Sequence, residues 1–335
     1  MSEPQGIGRG NFGVIGGGAW GTALAQMLAS DGSDVRLWAR EPEVVASINE
    51  THENTLFLNG LKLSPSIVAS DDALHFRELS ALLVVTPAQH MRAALSQFDV
   101  GKTPLILCCK GMEAGTLELM SEVAHDVHPE APILVLSGPT FAHEVAAGLP
   151  TAVTFACEDE ALAAALAEQI RRPAFRPYLS TDVIGAEIGG AIKNVIAIAC
   201  GVVDGAGLGQ NARASLISRG FAEMTRFGLA KGGKPETLAG LAGLGDLVLT
   251  CSSTSSRNFS LGKGLGEGKS AAELLSDRRT VAEGAHSAPV VLEAATLMGI
   301  DMPIVAAVNR LLSGEADVRD VIASLLSRPL RSEGL

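Results

Sequence analysis

Phe12-Gly13-Val14-Ile15-Gly16-Gly17-Gly18-Ala19-Trp20-Gly21 is the stretch whose reading decides the fold. Phe12 to Gly16 is a short apolar run that reads as a buried strand, and 19–30 reads as a helix that Asp31-Gly32 ends. Between them Gly16, Gly18 and Gly21 have the G-x-G-x-x-G spacing. In a strand–turn–helix context each glycine has a task. Gly16 permits the tight turn, Gly18 lets a pyrophosphate approach the backbone, and Gly21 lets the helix pack on the sheet. The helix N-terminus adds N–H groups and positive partial charge suited to phosphates. Together these features imply a dinucleotide-binding turn.

Working outward, strand and helix patterns alternate. A second strand is expected over 34–39 and a helix through 43–50. Residues 81–86 form another apolar strand, with Pro87 opening the next helix, and 104–109 and 132–137 repeat the pattern. The runs are continuously apolar instead of alternating, which implies parallel strands covered on both faces. Residues 151–156 and 175–179 are expected as additional edge strands. The fold class is therefore α/β: a flexible tail over 1–10, then a doubly wound parallel-sheet domain over 11–181. Beyond Thr181 strand-like runs nearly vanish. Helical segments near 183–203, 212–229, 257–266, 287–298, 303–312 and 317–326 make 182–335 an all-α domain.

Composition limits the function classes. The chain has 335 residues, 47% of them hydrophobic and 19% charged, enough for two cores. Aromatics are only 4% and glycines number 37, which favours close packing of small side chains over stacking surfaces for bases. A net charge of −11 argues against nucleic acid and anionic membranes as partners. An anionic small substrate then needs cations gathered locally. The five cysteines, at 108, 109, 157, 200 and 251, are odd in number and contain no C-x-x-C, as in reduced intracellular proteins. The N-terminus lacks a signal-peptide pattern, and no apolar run reaches the ~18 residues of a membrane span, so a cytoplasmic location is expected. The seven histidines form no H-E-x-x-H, and His125 and His128 alone are too few for a metal site.

Several residues carry chemistry. Lys193 lies in Gly190-Ala191-Ile192-Lys193-Asn194-Val195-Ile196-Ala197, a helical pattern without charge from Asn194 to Val203. Its ammonium either snorkels to the surface or works in a semi-buried site. Arg40 ends the second strand, where a cation accepts the 2′-phosphate of NADP(H); adjacent Glu41 leaves NAD(H) open. Cys109-Lys110-Gly111 and Ser137-Gly138-Pro139-Thr140-Phe141-Ala142 follow strands, where ligands of open α/β sheets sit. Ser255-Ser256-Arg257-Asn258 opens a helix and suits a phosphate, although capping alone explains Ser256. Asp246 lies in an apolar stretch, where its carboxylate is expected to pair with a semi-buried lysine.

These blocks, with Asn211-Ala212-Arg213 and Gly243-Leu244-Gly245-Asp246-Leu247, occur in order, and the chain resembles the bacterial NAD(P)-dependent sn-glycerol-3-phosphate dehydrogenases over nearly its whole length. The resemblance implies a Rossmann domain followed by a helical domain, usually as a homodimer. It implies reversible reduction of dihydroxyacetone phosphate to sn-glycerol 3-phosphate, supplying glycerophospholipid synthesis. It makes Lys193 the proton donor and acceptor, with Asp246 orienting it and Asn194 at the substrate hydroxyls. It assigns Lys110, Gly138, Thr140, Asp246, Ser256, Arg257 and Asn258 to the substrate. It assigns Ala19, Trp20, Arg40, Lys110, Ala142, Arg257, Val281 and Glu283 to the nucleotide. Ala19 departs from the serine many members carry, at the cost of one hydroxyl, and His143 stands where a lysine often appears. Two other readings stand beside this one. A lysine-dependent β-hydroxyacid dehydrogenase needs a carboxylate clamp, which the Ser256-Arg257-Asn258 loop disfavours. A non-catalytic dinucleotide sensor needs no lysine in an apolar helix.

Overall fold

The computed structural model describes residues 10–276 and 282–329. The tail expected over 1–10, apart from Gly10, lies outside the described residues, as does Val281. The chain divides into two compact units. The first runs to Cys109 and resumes over Met120–Val183; the second takes Lys110–Leu119 and the described residues from Ile184 on.

The first unit is an eight-stranded sheet: β1 (Phe12–Ile15), β2 (Val35–Trp38), β3 (Ile67–Ser70), β4 (Ala81–Val84), β5 (Leu105–Leu107), β6 (Ile133–Ser137), β7 (Thr151–Ala156) and β8 (Phe175–Ser180). The spatial order is β3-β2-β1-β4-β5-β6-β7-β8. β1 is the pivot, with Phe12 opposite Val35 on one side and Ala81 on the other. Strand order reverses there, at the switch point where doubly wound sheets bind ligands. β1, β4 and β5 are buried at every position, as their uninterrupted apolar runs require. The first six strands are parallel, and β7 reverses direction against β6. Residues 151–156 are thus not an edge strand: β7 is held between β6 and β8, and of these two expected edge strands β8 alone lies at an edge. β3, at the opposite edge, was not foreseen, because four residues with Val68 exposed carry little apolar signal.

The helices of this unit are α1 (Ala19–Leu28), α2 (Pro42–Thr51), α3 (Met91–Leu95), α4 (Met120–Val127), α5 (Ala142–Ala146) and α6 (Glu160–Ile170). α1 ends two residues early because its last turn tightens to 3₁₀ over Ala29–Asp31. The buried Arg172 guanidinium donates to the Leu28 carbonyl at 2.7 Å, a cation placed where the helix leaves carbonyls unpaired.

The second unit contains α7 (Val183–Gly205), α8 (Gly209–Ala230), α9 (Pro235–Leu238), α10 (Asp246–Thr250), α11 (Arg257–Gly266), α12 (Ala271–Leu274), α13 (Glu283–Leu297), α14 (Pro303–Ser313) and α15 (Val318–Leu326). Lys110–Leu119, expected in the sheet domain, belongs here because Met112 and Leu119 enter this unit's core. α7 is its axis, with every residue from Gly185 to Val203 buried. Its 23 residues span about 35 Å, so by length and composition it could cross a membrane, contrary to the expectation that no segment would. Here the rest of the unit covers its apolar surface. At the start of α14, buried Glu223 of α8 accepts from the Ile304 and Val305 N–H groups at 2.7 and 3.2 Å.

α7 and α11 approach to backbone contact. A Cβ on Gly201 or Gly205 would collide with the Phe259 or Lys263 carbonyl, and one on Gly262 or Gly266 with the Ile198 or Val202 carbonyl. Both helices space their glycines by four, so each presents a smooth stripe to the other. Gly201→Ala should therefore force the helices apart. Chemical denaturation should show a loss of about 1–3 kcal/mol, as overpacked cores do. Unchanged stability would mean the seam does not hold the helices.

Candidate active site

The site in the second unit is built on α7. One turn before Lys193, Gly189 and Gly190 leave its surface bare. A Cβ on Gly189 would strike the Ala242 carbonyl, and one on Gly190 would sit 3.0 Å from Lys110 Cγ. The first absence admits a π-helical turn, Leu241–Gly245, that leads directly into Asp246. The second admits the aliphatic stem of Lys110. Two groups from distant parts of the sequence thereby reach Lys193.

Asp246, with no solvent exposure, accepts from both lysines: Lys193 Nζ to Oδ1 at 2.5 Å, and Lys110 Nζ to Oδ2 at 2.7 Å. Lys193 is 6% exposed, so it does not snorkel. Thr250 Oγ1 accepts a further bond from Lys193 Nζ at 3.1 Å. Burial lowers the Lys193 pKa to about 8; Asp246 opposes the shift and Lys110 adds to it. Two ammoniums around one carboxylate leave a net positive charge, a place where an anionic or developing negative oxygen is stabilised.

Beside Lys193, Asn194 Oδ1 accepts from Asn258 Nδ2 at 2.9 Å, and Asn258 Oδ1 accepts the Gly284 N–H at 2.9 Å. The glycine seam holds α7 and α11 close enough for this bond. Ser256 Oγ caps α11 by accepting the Phe259 N–H at 3.2 Å, and Arg257 is exposed. Glu283 is half-buried. Burial raises its carboxyl pKa, against the opposing charges of Arg257, Lys110, Lys193 and His286.

The first unit carries the glycine turn. Gly16 has φ +129°, and a Cβ there would sit 2.8 Å from the Val85 carbonyl. Gly21 meets the Gly16 carbonyl, which lets α1 lie directly on the strand end. Nothing lies within 4 Å of a Cβ placed on Gly18, the N-cap of α1, so its face is open. Among the described residues six buried side-chain polar atoms lack hydrogen-bond partners, and three of them follow strands of this sheet: Trp20 Nε1, Thr86 Oγ1 just past β4, and Ser137 Oγ at the end of β6. Because β1, β4 and β6 are parallel, all three lie toward the carboxyl edge of the sheet. An open N-cap and unpartnered polar groups at that edge fit a dinucleotide. Arg40 is 77% exposed and pairs with Glu41 at 2.8 Å. After β6, Gly138 packs on β7, Thr140 Oγ1 donates to the Gly138 carbonyl at 3.2 Å, and Ala142 opens α5.

The structure thus brings Lys193, Asp246 and Lys110 into one hydrogen-bonded group, joins Asn194 to Asn258, and uses Ser256 as a cap. His143 lies near Glu144 at 3.9 Å and stacks on Phe141. Cys251 is fully buried beside Cys200, and burial raises its thiol pKa. Among the described residues no cluster could hold a metal. Two residues were missed. Thr250 stands four positions after Asp246 on α10, a spacing that marks a shared face. Asn54 binds behind the glycine turn and has no comparable sequence signal.

Comparison with known proteins agrees with this geometry. The model of the NAD-dependent glycerol-3-phosphate dehydrogenase N-terminus matches residues 11–163, and that of the C-terminus matches 182–323. A glycerol-3-phosphate dehydrogenase [NAD(P)+] of Sphingopyxis alaskensis is 64% identical, covering 97% of this chain and 98% of its own. Its counterpart in Erythrobacter litoralis is 63% identical, covering 96% and 97%. The crystal structure of a glycerol-3-phosphate dehydrogenase from Coxiella burnetii superimposes with a TM-score of 0.91 at 38% identity, covering 96% of this chain and 99% of that one. This chain is a member of the NAD-dependent glycerol-3-phosphate dehydrogenase family.

Proposed function

We propose that the chain reversibly reduces dihydroxyacetone phosphate to sn-glycerol 3-phosphate with NAD(P)H, using Lys193 as general acid and base. The buried Lys193–Asp246–Lys110 group carries this reading, because a lysine with a pKa near 8 exchanges protons readily at ordinary pH. The Gly16, Gly18, Ala19, Trp20 and Gly21 turn would hold the pyrophosphate of the dinucleotide, whose nicotinamide would supply the hydride when bound. In reduction, the Lys193 ammonium stabilises the oxygen that becomes negative and then gives it a proton. Asp246 keeps Nζ aimed, and Lys110 adds positive charge. Asn194 and Asn258 orient the substrate hydroxyl and phosphate, while Arg257 and the Ser256 turn bind the phosphate. Gly138 and Thr140 contact the substrate, and Ala142 and Glu283 contact the nucleotide. Remote phosphate contacts spend their binding energy on alignment at the carbonyl. As parts of the same reading, the working form is a cytoplasmic homodimer and the product feeds glycerophospholipid synthesis.

The test is loss of reduced-nicotinamide absorbance with dihydroxyacetone phosphate, run with NADPH and with NADH. Oxidation is expected with at least one; none with either, despite nucleotide binding, would refute the reading. Lys193→Ala should lower kcat by about 10²–10⁴-fold while leaving nucleotide affinity unchanged. Because reduction needs the ammonium, its rate should fall as pH rises through about 8. Oxidation needs the free amine and should rise over the same interval. Profiles flat across that interval would remove Lys193 from its role. Arg40→Ala should raise KM for NADPH by about tenfold and leave that for NADH unchanged, since only the former offers a 2′-phosphate. Equal effects on both would leave Arg40 without a part in selection.

A further inference from the structure

The glycine turn poses a problem its own sequence does not solve. Three consecutive glycines let the peptide between Gly17 and Gly18 point either way. In a trans peptide the carbonyl and the following N–H point in opposite directions. Only one orientation presents the Gly18 N–H to an anion; the other presents the Gly17 oxygen, which repels it.

Asn54 supplies the missing constraint. It follows α2 and has no solvent exposure. Its Oδ1 accepts the Phe57 N–H at 3.0 Å, which fixes which end of the amide carries the nitrogen. Nδ2 then donates both its protons, to the Gly17 carbonyl at 2.8 Å and to Thr22 Oγ1 at 2.7 Å. The Thr22 hydroxyl, accepting from Asn54, turns its own proton toward the same Gly17 carbonyl at 3.4 Å. The Gly17 oxygen is thus drawn to the buried side by two donors. In a trans peptide the Gly18 N–H must then face away from those donors, and the Cβ direction of Gly18 is itself uncrowded.

We propose that Asn54, seconded by Thr22, is a positioning residue that sets the Gly17–Gly18 peptide in the orientation that receives the dinucleotide pyrophosphate. This rests on the reading of the turn as a nucleotide site. Asn54 touches no ligand. It prepays the ordering of a glycine-rich turn that the nucleotide would otherwise have to order on binding.

Asn54→Asp tests it. The aspartate has the same shape and keeps the acceptor for Phe57, but sets a carboxylate oxygen against the Gly17 carbonyl. Dissociation constants for NADPH, NADH and ADP would be measured by calorimetry at a temperature where circular dichroism shows wild type and variant equally folded. All three should weaken by about tenfold or more, since each carries a diphosphate. KM for the nucleotide should rise in step, with a much smaller fall in kcat and KM for dihydroxyacetone phosphate within about twofold. A purely structural role would lower the melting temperature without this split. Affinities within about twofold of wild type would overturn the proposal. If Asn54→Asp does not fold, Thr22→Val carries the test: it removes one donor, strands an Asn54 proton, and should weaken the same ligands by about threefold or more. Unchanged affinities there would likewise overturn it. A wild-type chain that binds neither NADPH nor NADH refutes the nucleotide reading itself, and this proposal with it.

Discussion

A carboxylate with no exposure to water, held between two ammonium groups, governs the construction of the second unit. Burying three charges is costly, and the cost is offset only if each group finds its partner in good geometry. Asp246 meets Lys193 on one oxygen and Lys110 on the other. Removing Asp246 would take the shared counter-charge from both lysines at once, which explains why so much backbone is arranged around it. Gly189 and Gly190 bare α7, a π-helical turn swings Asp246 into reach, and the Lys110–Leu119 segment joins the helical unit to bring the second ammonium. The α7–α11 seam adds the neighbouring amides. The residual positive charge and the lowered Lys193 pKa are products of the same burial.

The first unit follows a parallel logic with neutral groups. Its turn must be open on one side and rigid on the other. Openness comes from Gly18, and rigidity comes from buried donors on the Gly17 carbonyl. In both units, fixed polar groups are aimed before any ligand arrives, so little reorganisation is left for the binding or reaction step.

The parts of this architecture written in local sequence were readable without coordinates. The β1–turn–α1 fingerprint, the continuous apolar strands and the long helices each announce themselves through a period or a spacing. Lys193 stood out because a charge in an apolar helix needs a reason. Tertiary causes escaped. β3 is too short and too half-exposed to signal itself, and β7 was misplaced at the edge because an antiparallel reversal leaves no mark in composition. Nothing local shows that Met112 and Leu119 leave the sheet unit for the other core. No apolar run was expected to reach a membrane's width, and Glu187 and Lys193 do interrupt that of α7, although the whole helix is long and apolar enough. Asn54 reaches a glycine 37 positions away, beyond any local pattern, whereas Thr250 was within reach of the four-residue rule applied to Asp246.

The most direct test of the account is the ionisation of Lys193 itself. Protein carrying ¹³Cε-labelled lysine would be titrated by NMR, with the Lys193 resonance assigned by its loss in Lys193→Arg. The account requires a midpoint near 8, set by burial beside Asp246 and Lys110. A midpoint at the ordinary lysine value of about 10.4 would show that the ammonium is solvated, and would contradict the buried group on which the mechanism rests.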